Sequence, residues 1–131
     1  MIDPQQALFS AVRERLKEIY PDSVYDEELP PEGTPYPFTY LGDFDQYDIE
    51  NKSVIMGRIA VTIHNWHSRP DKRGIISARN LAVKNVLRDV SHKDYSFAAR
   101  NVVSRITTDN TTATPLVHGI VEAEIYFSPK H

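Results

Sequence analysis

The chain has no cysteine among its 131 residues. That excludes disulfides, thiolate metal centres and a cysteine nucleophile together, and it is compatible with a reducing compartment. Apolar runs are short as well. None approaches the ~20 residues a membrane-crossing helix needs, and Met1-Ile2-Asp3-Pro4-Gln5 lacks the basic stretch and apolar segment of a secretory signal. A soluble, unprocessed protein without a membrane partner is therefore expected. Glycine is scarce too. The five glycines (Gly33, Gly42, Gly57, Gly74 and Gly119) stand singly, so no phosphate-cradling loop is present. Nor is there an excess of positive charge: the formal net charge of −3 argues against a module that reads nucleic acid sequence through phosphate contacts.

What remains is ordinary globular material. Hydrophobic residues make up 40% and charged residues 25%, a balance that builds one core in a single domain spanning 1–131. Asp3-Pro4 marks a helix start, an N-cap carboxylate followed by a proline at the first helical position. Leu8, Val12, Leu16 and Ile19 then recur at intervals of three and four, one apolar stripe that ends before Pro21. Residues 22–37 alternate Pro30, Pro31 and Pro35 with Asp26, Glu27, Glu28 and Glu32, and read as an extended connection with a short edge strand at Val24-Tyr25.

Phe38-Thr39-Tyr40-Leu41 reads as a strand ending at Gly42, with residues 43–52 as a polar loop carrying aromatics. In residues 54–66, Ile59, Val61 and Ile63 alternate with Arg58, Thr62 and His64, the period of a half-buried strand. A basic turn over 69–74 leads into a second helix, whose stripe is Ile76, Val83, Leu87 and Val90, widened by Leu81 and Val86. Strands over 102–107 and 117–127 close the domain, joined by a Thr/Asp/Asn-rich stretch at 107–114. The expected fold is α+β: an antiparallel or mixed sheet of about four strands with two helices packed on one face.

Chemistry is thinly represented. His64 and His67 are three residues apart, and on a strand that spacing sends side chains to opposite faces. A small zinc enzyme built on them would need a third ligand such as Asp71 or His118, and a structural strand end is the simpler reading. No Gly-x-Ser-x-Gly elbow surrounds any serine. Glu122 and Glu124 share a strand face, as paired glycosidase carboxylates do, but a solvated strand face accounts for them. No catalytic residue, metal or cofactor is expected.

Surface features point to assembly instead. Phe44, Tyr47 and Ile49 are out of place in a purely solvated loop, and aromatic side chains are favoured interface anchors. Arg69, Lys72, Arg73 and Arg79 form a basic patch on an acidic chain, read either as a solvated turn or as a contact for an acidic partner such as residues 26–32 of a neighbouring copy. Oppositely charged segments on one chain suit head-to-tail rings. Asp109 and Asn110 fall in the 107–114 stretch, read as a plain loop or as an arm reaching a neighbour.

Pro35-Tyr36-Pro37-Phe38, then Leu41-Gly42, Asn51-Lys52-Ser53 and the strand Ile59-Ala60-Val61-Thr62-Ile63-His64-Asn65-Trp66 together resemble a phage family. Arg73-Gly74 opening a helix, and His118-Gly119-Ile120-Val121 after the Thr/Asp-rich stretch, continue the likeness. The pattern is similar to that of the tail-completion proteins of long-tailed bacteriophages and prophages, also called tail terminators or head-to-tail joining proteins. The resemblance covers most of the chain. It implies a non-enzymatic virion subunit, formed in the host cytoplasm and placed at the tail–neck region. Such a subunit forms a hexameric ring, with the major tail protein on one side and the head connector on the other. It does not separate tail termination from other neck or minor-tail roles, head closure included.

Overall fold

The computed structural model describes residues 2–26, 30–50 and 55–130. Helix α1, Pro4–Ile19, begins where expected: Asp3 accepts a hydrogen bond from the Gln6 amide at 2.9 Å, and Pro4 fills the first helical position. Ala7, Leu8, Val12 and Leu16 are buried along one stripe, whereas Ile19 is exposed, so the buried stripe stops a turn early. Helix α2, Arg73–Asp89, follows a short 3-10 turn at Pro70–Lys72 and buries Ile76, Val83, Val86 and Leu87. Leu81 is exposed rather than part of the stripe.

Among the described residues five strands form one mixed sheet: β1 (Val24–Tyr25), β2 (Phe38–Ile49), β3 (Met56–His67), β4 (Tyr95–Asp109) and β5 (Leu116–Pro129). Their spatial order is β1-β2-β3-β5-β4, antiparallel except for the β1–β2 edge pair. The α+β architecture holds, and the short edge strand at Val24-Tyr25 supplies the fifth strand.

Three boundaries differ from the sequence reading. Residues 43–49 are not loop but the second half of β2, paired from Phe44↔Val61 to Ile49↔Met56 after a bulge between Leu41 and Phe44. Asn51, Lys52 and Ser53 of the sequence pattern lie outside the described residues. Strand β4 starts at Tyr95 and runs through Asp109, so only the latter part of 107–114 is a connection. A bulge also interrupts β4 between Arg100 and Val103, where Asn101 adopts φ +53° and donates to Glu124 Oε1 at 2.6 Å.

Both helices pack on one face of the sheet. Ile59, Val61 and Ile63 of β3 and Val121, Ala123, Ile125 and Phe127 of β5 meet Leu8, Val12 and Leu16 of α1 and Val83, Val86 and Leu87 of α2. Among the described residues the opposite face carries no helix. It presents the alternate residues of each strand, which are part-exposed along the whole of β3 and β5.

Candidate functional site: the open face of the sheet

Strand alternation and cross-strand register decide what the open face displays. Tyr40 lies opposite His64, and Trp66 opposite both Phe38 and His118. The rings form one continuous row: Tyr40 stacks on His64 (centroids 5.7 Å), His64 on His118 (5.0 Å), and His118 on Trp66 (3.7 Å, 7° between planes). His64 Nδ1 and His118 Nε2 are 2.8 Å apart, so one imidazole donates to the other and the two share a single proton on the facing nitrogens. Burial lowers both pKa values. For His118 burial, the neighbouring His64 and then Arg105 outweigh the opposing pull of Asp109, and the value falls to about 4. For His64 burial dominates, with Asp43 and Glu122 pulling the other way.

The pair the sequence singled out is not the pair the fold assembles. His67 faces the helices, buried, with Nδ1 accepting from the Arg69 amide at 3.1 Å, whereas His64 lies on the open face. The zinc arrangement on His64 and His67 is thus excluded by strand geometry. Among the described residues no group of three His, Asp or Glu side chains is placed to hold a metal ion.

Below the aromatic row the middle of the face is ionic. Arg58 pairs with Glu124 at 2.9 Å and Arg105 with Glu122 at 2.7 Å. These partly exposed pairs fix charge pattern more than they stabilise. Glu122 and Glu124 are therefore tied to separate arginines.

The sequence-derived interaction residues separate into groups. Tyr47 and Ile49, on the outer half of β2, are half exposed (51% each), with Arg58 lying over the Tyr47 ring at 4.4 Å. Phe44 is different: the bulge turns it toward the helices, where it packs edge-on against Phe9 at 5.2 Å. Arg69, Lys72 and Arg73 lie beyond the opposite end of β3, Arg69 forking onto Asp71 at 2.8 Å and 3.1 Å. Arg79 does not belong to this patch. It is buried under the sheet, its guanidinium 3.8 Å from the Tyr20 ring centroid and bonded to Thr39 and Ser23. Asp109 ends β4 and accepts from both the amide and the hydroxyl of Thr111, which holds its carboxyl below the usual range. Asn110 is exposed beside it.

One feature of the face escaped sequence reasoning. Pro31, Tyr36, Phe38, Tyr40, Trp66 and Leu116 line a groove of about 420 Å³ at the end where the aromatic row terminates. The Pro-Tyr-Pro-Phe run was visible in sequence, but its meeting with Trp66 and Leu116 depends on register.

No family model matches the chain, and no curated protein does. Solved structures do. The chain is similar to a chain in the virion of a native gene transfer agent particle, with 17% identity and a TM-score of 0.57 over 94% of each chain. It is also similar to the gp17 protein of bacteriophage SPP1, with 23% identity and a TM-score of 0.61, covering 92% of this chain and 88% of that one. At these identities what is shared is the fold. The α+β domain described above is thus a fold also found in a gene transfer agent virion and in a bacteriophage protein.

The ring stack makes the protonation state of the open face readable, because Trp66 is the sole tryptophan. An imidazolium 3.7 Å from an indole quenches its emission, so fluorescence is expected to drop as pH falls through about 4 while far-ultraviolet circular dichroism is unchanged. His118→Gln removes that step. The stability consequence has a definite sign. The unfolded chain protonates His118 near 6.5 and the folded one only near 4, so this contribution is complete above 6.5 and is lost as pH falls between those values. A wild-type minus His118→Gln stability difference that stays flat between pH 7 and pH 4 contradicts the assignment.

Proposed function

We propose that this chain is a non-enzymatic virion subunit that caps the tail tube of a long-tailed phage or prophage as a ring, hexameric by the family resemblance, and joins it to the head connector. The observation that carries the reading is likeness along nearly the whole chain to a subunit of a gene transfer agent virion, more than nine tenths of both chains being covered. The surface is consistent with such work. On the open face Arg58, Arg105, Glu122 and Glu124 are engaged in ion pairs and His64 and His118 with each other, while large apolar side chains stand exposed at the end of β2. Capping a tube and receiving a connector require two different faces on each subunit, with subunit contacts closed by rotation.

The test uses Tyr47→Ser with Ile49→Ser, in complementation of a phage lacking the gene. Both side chains are half exposed, so the variant is expected to fold with a stability change of about 1 kcal/mol or less. Assembly is expected to fall at least about tenfold, because truncating two interface anchors commonly removes more than the 1.4 kcal/mol that tenfold requires. Electron micrographs of the null lysate separate the roles. Over-long or uncapped tubes indicate termination, normal tubes beside filled heads indicate joining alone, and heads that leak DNA indicate head closure and overturn the tail assignment.

A further inference from the structure

The open face has an apolar projection at one end and an apolar recess at the other. The projection is Tyr47 and Ile49, backed by Ile55 at 52% exposure, at the outer end of the β2–β3 arm. The recess is the groove of about 420 Å³ bounded by Tyr36, Phe38, Trp66 and Leu116, with room for more than one large side chain. Both lie on the helix-free side, because Tyr47 and Ile49 alternate in phase with Arg58 and Met56, as Phe38 does with Trp66. From Phe38 to Ile49 the strand spans roughly 35 Å, so the projection does not reach the recess of its own chain.

Charge follows the same polarity. The arm carries Asp45, Asp48 and Glu50, all exposed. Arg69, Lys72 and Arg73 follow the end of β3 beside the recess, Arg69 engaged by Asp71, while Glu32 is the one charged residue of the groove lining itself. Between the two ends lie the Arg58–Glu124 and Arg105–Glu122 pairs, part-hydrated and costly to bury. Stacking two open faces against each other in a two-fold dimer would bury those pairs. End-to-end contact leaves them wet.

We infer that the occupant of the groove is the β2 arm of a second copy: Tyr47 and Ile49 of one subunit seat against Tyr36, Phe38, Trp66 and Leu116 of the next, with Asp45, Asp48 and Glu50 brought toward Lys72 and Arg73. This assigns the two halves of the subunit contact within the ring proposed above, and it rests on that reading. The contact is heterologous, so each subunit uses its arm on one neighbour and its groove on the other, and rotation closes the series.

The cysteine-free chain makes the contact directly testable. Ile49→Cys and Leu116→Cys are introduced singly and together, and treated with a bismaleimide of short spacer at high protein concentration. The double variant is expected to give a ladder of covalent oligomers ending in a closed species. The two single variants mixed give one heterodimer, and neither single variant alone cross-links. Lys72→Glu with Arg73→Glu lowers the ladder yield about tenfold, and added Asp48→Lys restores it. Cross-linking of Ile49→Cys with itself, a double variant that stops at dimer, or no ladder at all overturns the inference. Wild-type protein that forms rings by light scattering and microscopy while the double variant gives no ladder rejects this contact and leaves the ring standing. Wild-type protein that neither forms rings nor caps tubes rejects both.

Discussion

Replacing Arg79 by alanine is expected to lower the unfolding free energy by about 3–5 kcal/mol, a large part of the 5–15 kcal/mol available to a domain. Arg79 is 5% exposed at the centre of α2 and has no carboxylate partner among the described residues. Its Nε and Nη2 donate to Thr39 Oγ1 at 3.1 Å and 2.8 Å, and Nη2 also reaches the Ser23 carbonyl at 3.2 Å. The hydroxyl of Thr39 donates to Asn65 at 2.6 Å, Asn65 to Asn80 at 2.8 Å, and Asn80 to the Arg105 carbonyl at 3.3 Å. A single polar chain thus crosses the core from the β1 edge to β4 beneath α2. Burial lowers the Arg79 pKa, yet a guanidinium keeps its charge, and the face of Tyr20 stabilises it in place of a carboxylate. The Ser23 carbonyl keeps the Thr39 amide as a donor at 2.8 Å, but alanine removes both donors to Thr39 Oγ1 at one end of the network and opens a cavity between helix and sheet. Urea denaturation followed by circular dichroism reads the loss. Arg79→Lys, which keeps a charge but not the fork, is expected to fall between. An alanine variant within about 1 kcal/mol of wild type shows that the network only fills space.

The placement of Arg79 was available in the sequence and was obscured by its charge. It lies three residues after Ile76 and four before Val83, on the apolar stripe of α2, so spacing put it inside while its neighbours Arg69, Lys72 and Arg73 drew it into a surface patch. Elsewhere periodicity was a reliable guide. Alternation in Ile59, Val61 and Ile63, and in Val121, Ala123 and Ile125, fixed two strands and their inner faces. It failed where a bulge changes the phase. Leu41 and Phe44 both face the helices although three residues apart, which no regular strand allows, and the following aspartates made the outer half of β2 read as loop. The β4 bulge hid the first half of that strand in the same way, by moving the inward phase from Tyr95, Phe97 and Ala99 to Val102. The histidine pair was beyond sequence reasoning for another reason. His64 and His118 are 54 residues apart and meet only through the β3–β5 register, in which His64 opposes Ile120 and Trp66 opposes His118. Proximity in sequence promoted His67, which the strand turns to the other side.

The outer half of β2 matters most for assembly, and Gly57 holds it to β3. Gly57 is buried opposite Asp48 on β2 and Phe127 on β5. A Cβ at this position would run into the Tyr47 carbonyl oxygen and lie 3.0 Å from Asp48 Cα. Both are backbone atoms, which no rotamer change moves aside. Gly57→Ala is therefore expected to force β2 away from β3 along the Phe44–Ile49 half, at a cost of about 3 kcal/mol. Gly74→Ala is the matched control. Nothing lies within 4 Å of its added Cβ, and it stands in the first turn of α2, where alanine is the better helix former. That variant should gain about 0.5–1 kcal/mol. The two glycines separate steric need from propensity, since one substitution lowers the melting temperature and the other raises it. The assembly readout adds a second distinction. Displacing the Tyr47 backbone removes its ring from beneath Arg58 and spoils the aim of Ile49, so Gly57→Ala is expected to abolish cross-linking through the arm even at temperatures where circular dichroism still reports a folded domain. A Gly57→Ala protein that melts with wild type and cross-links as well would show that β2 bends around the extra methyl, and that the arm does not depend on its pairing with β3.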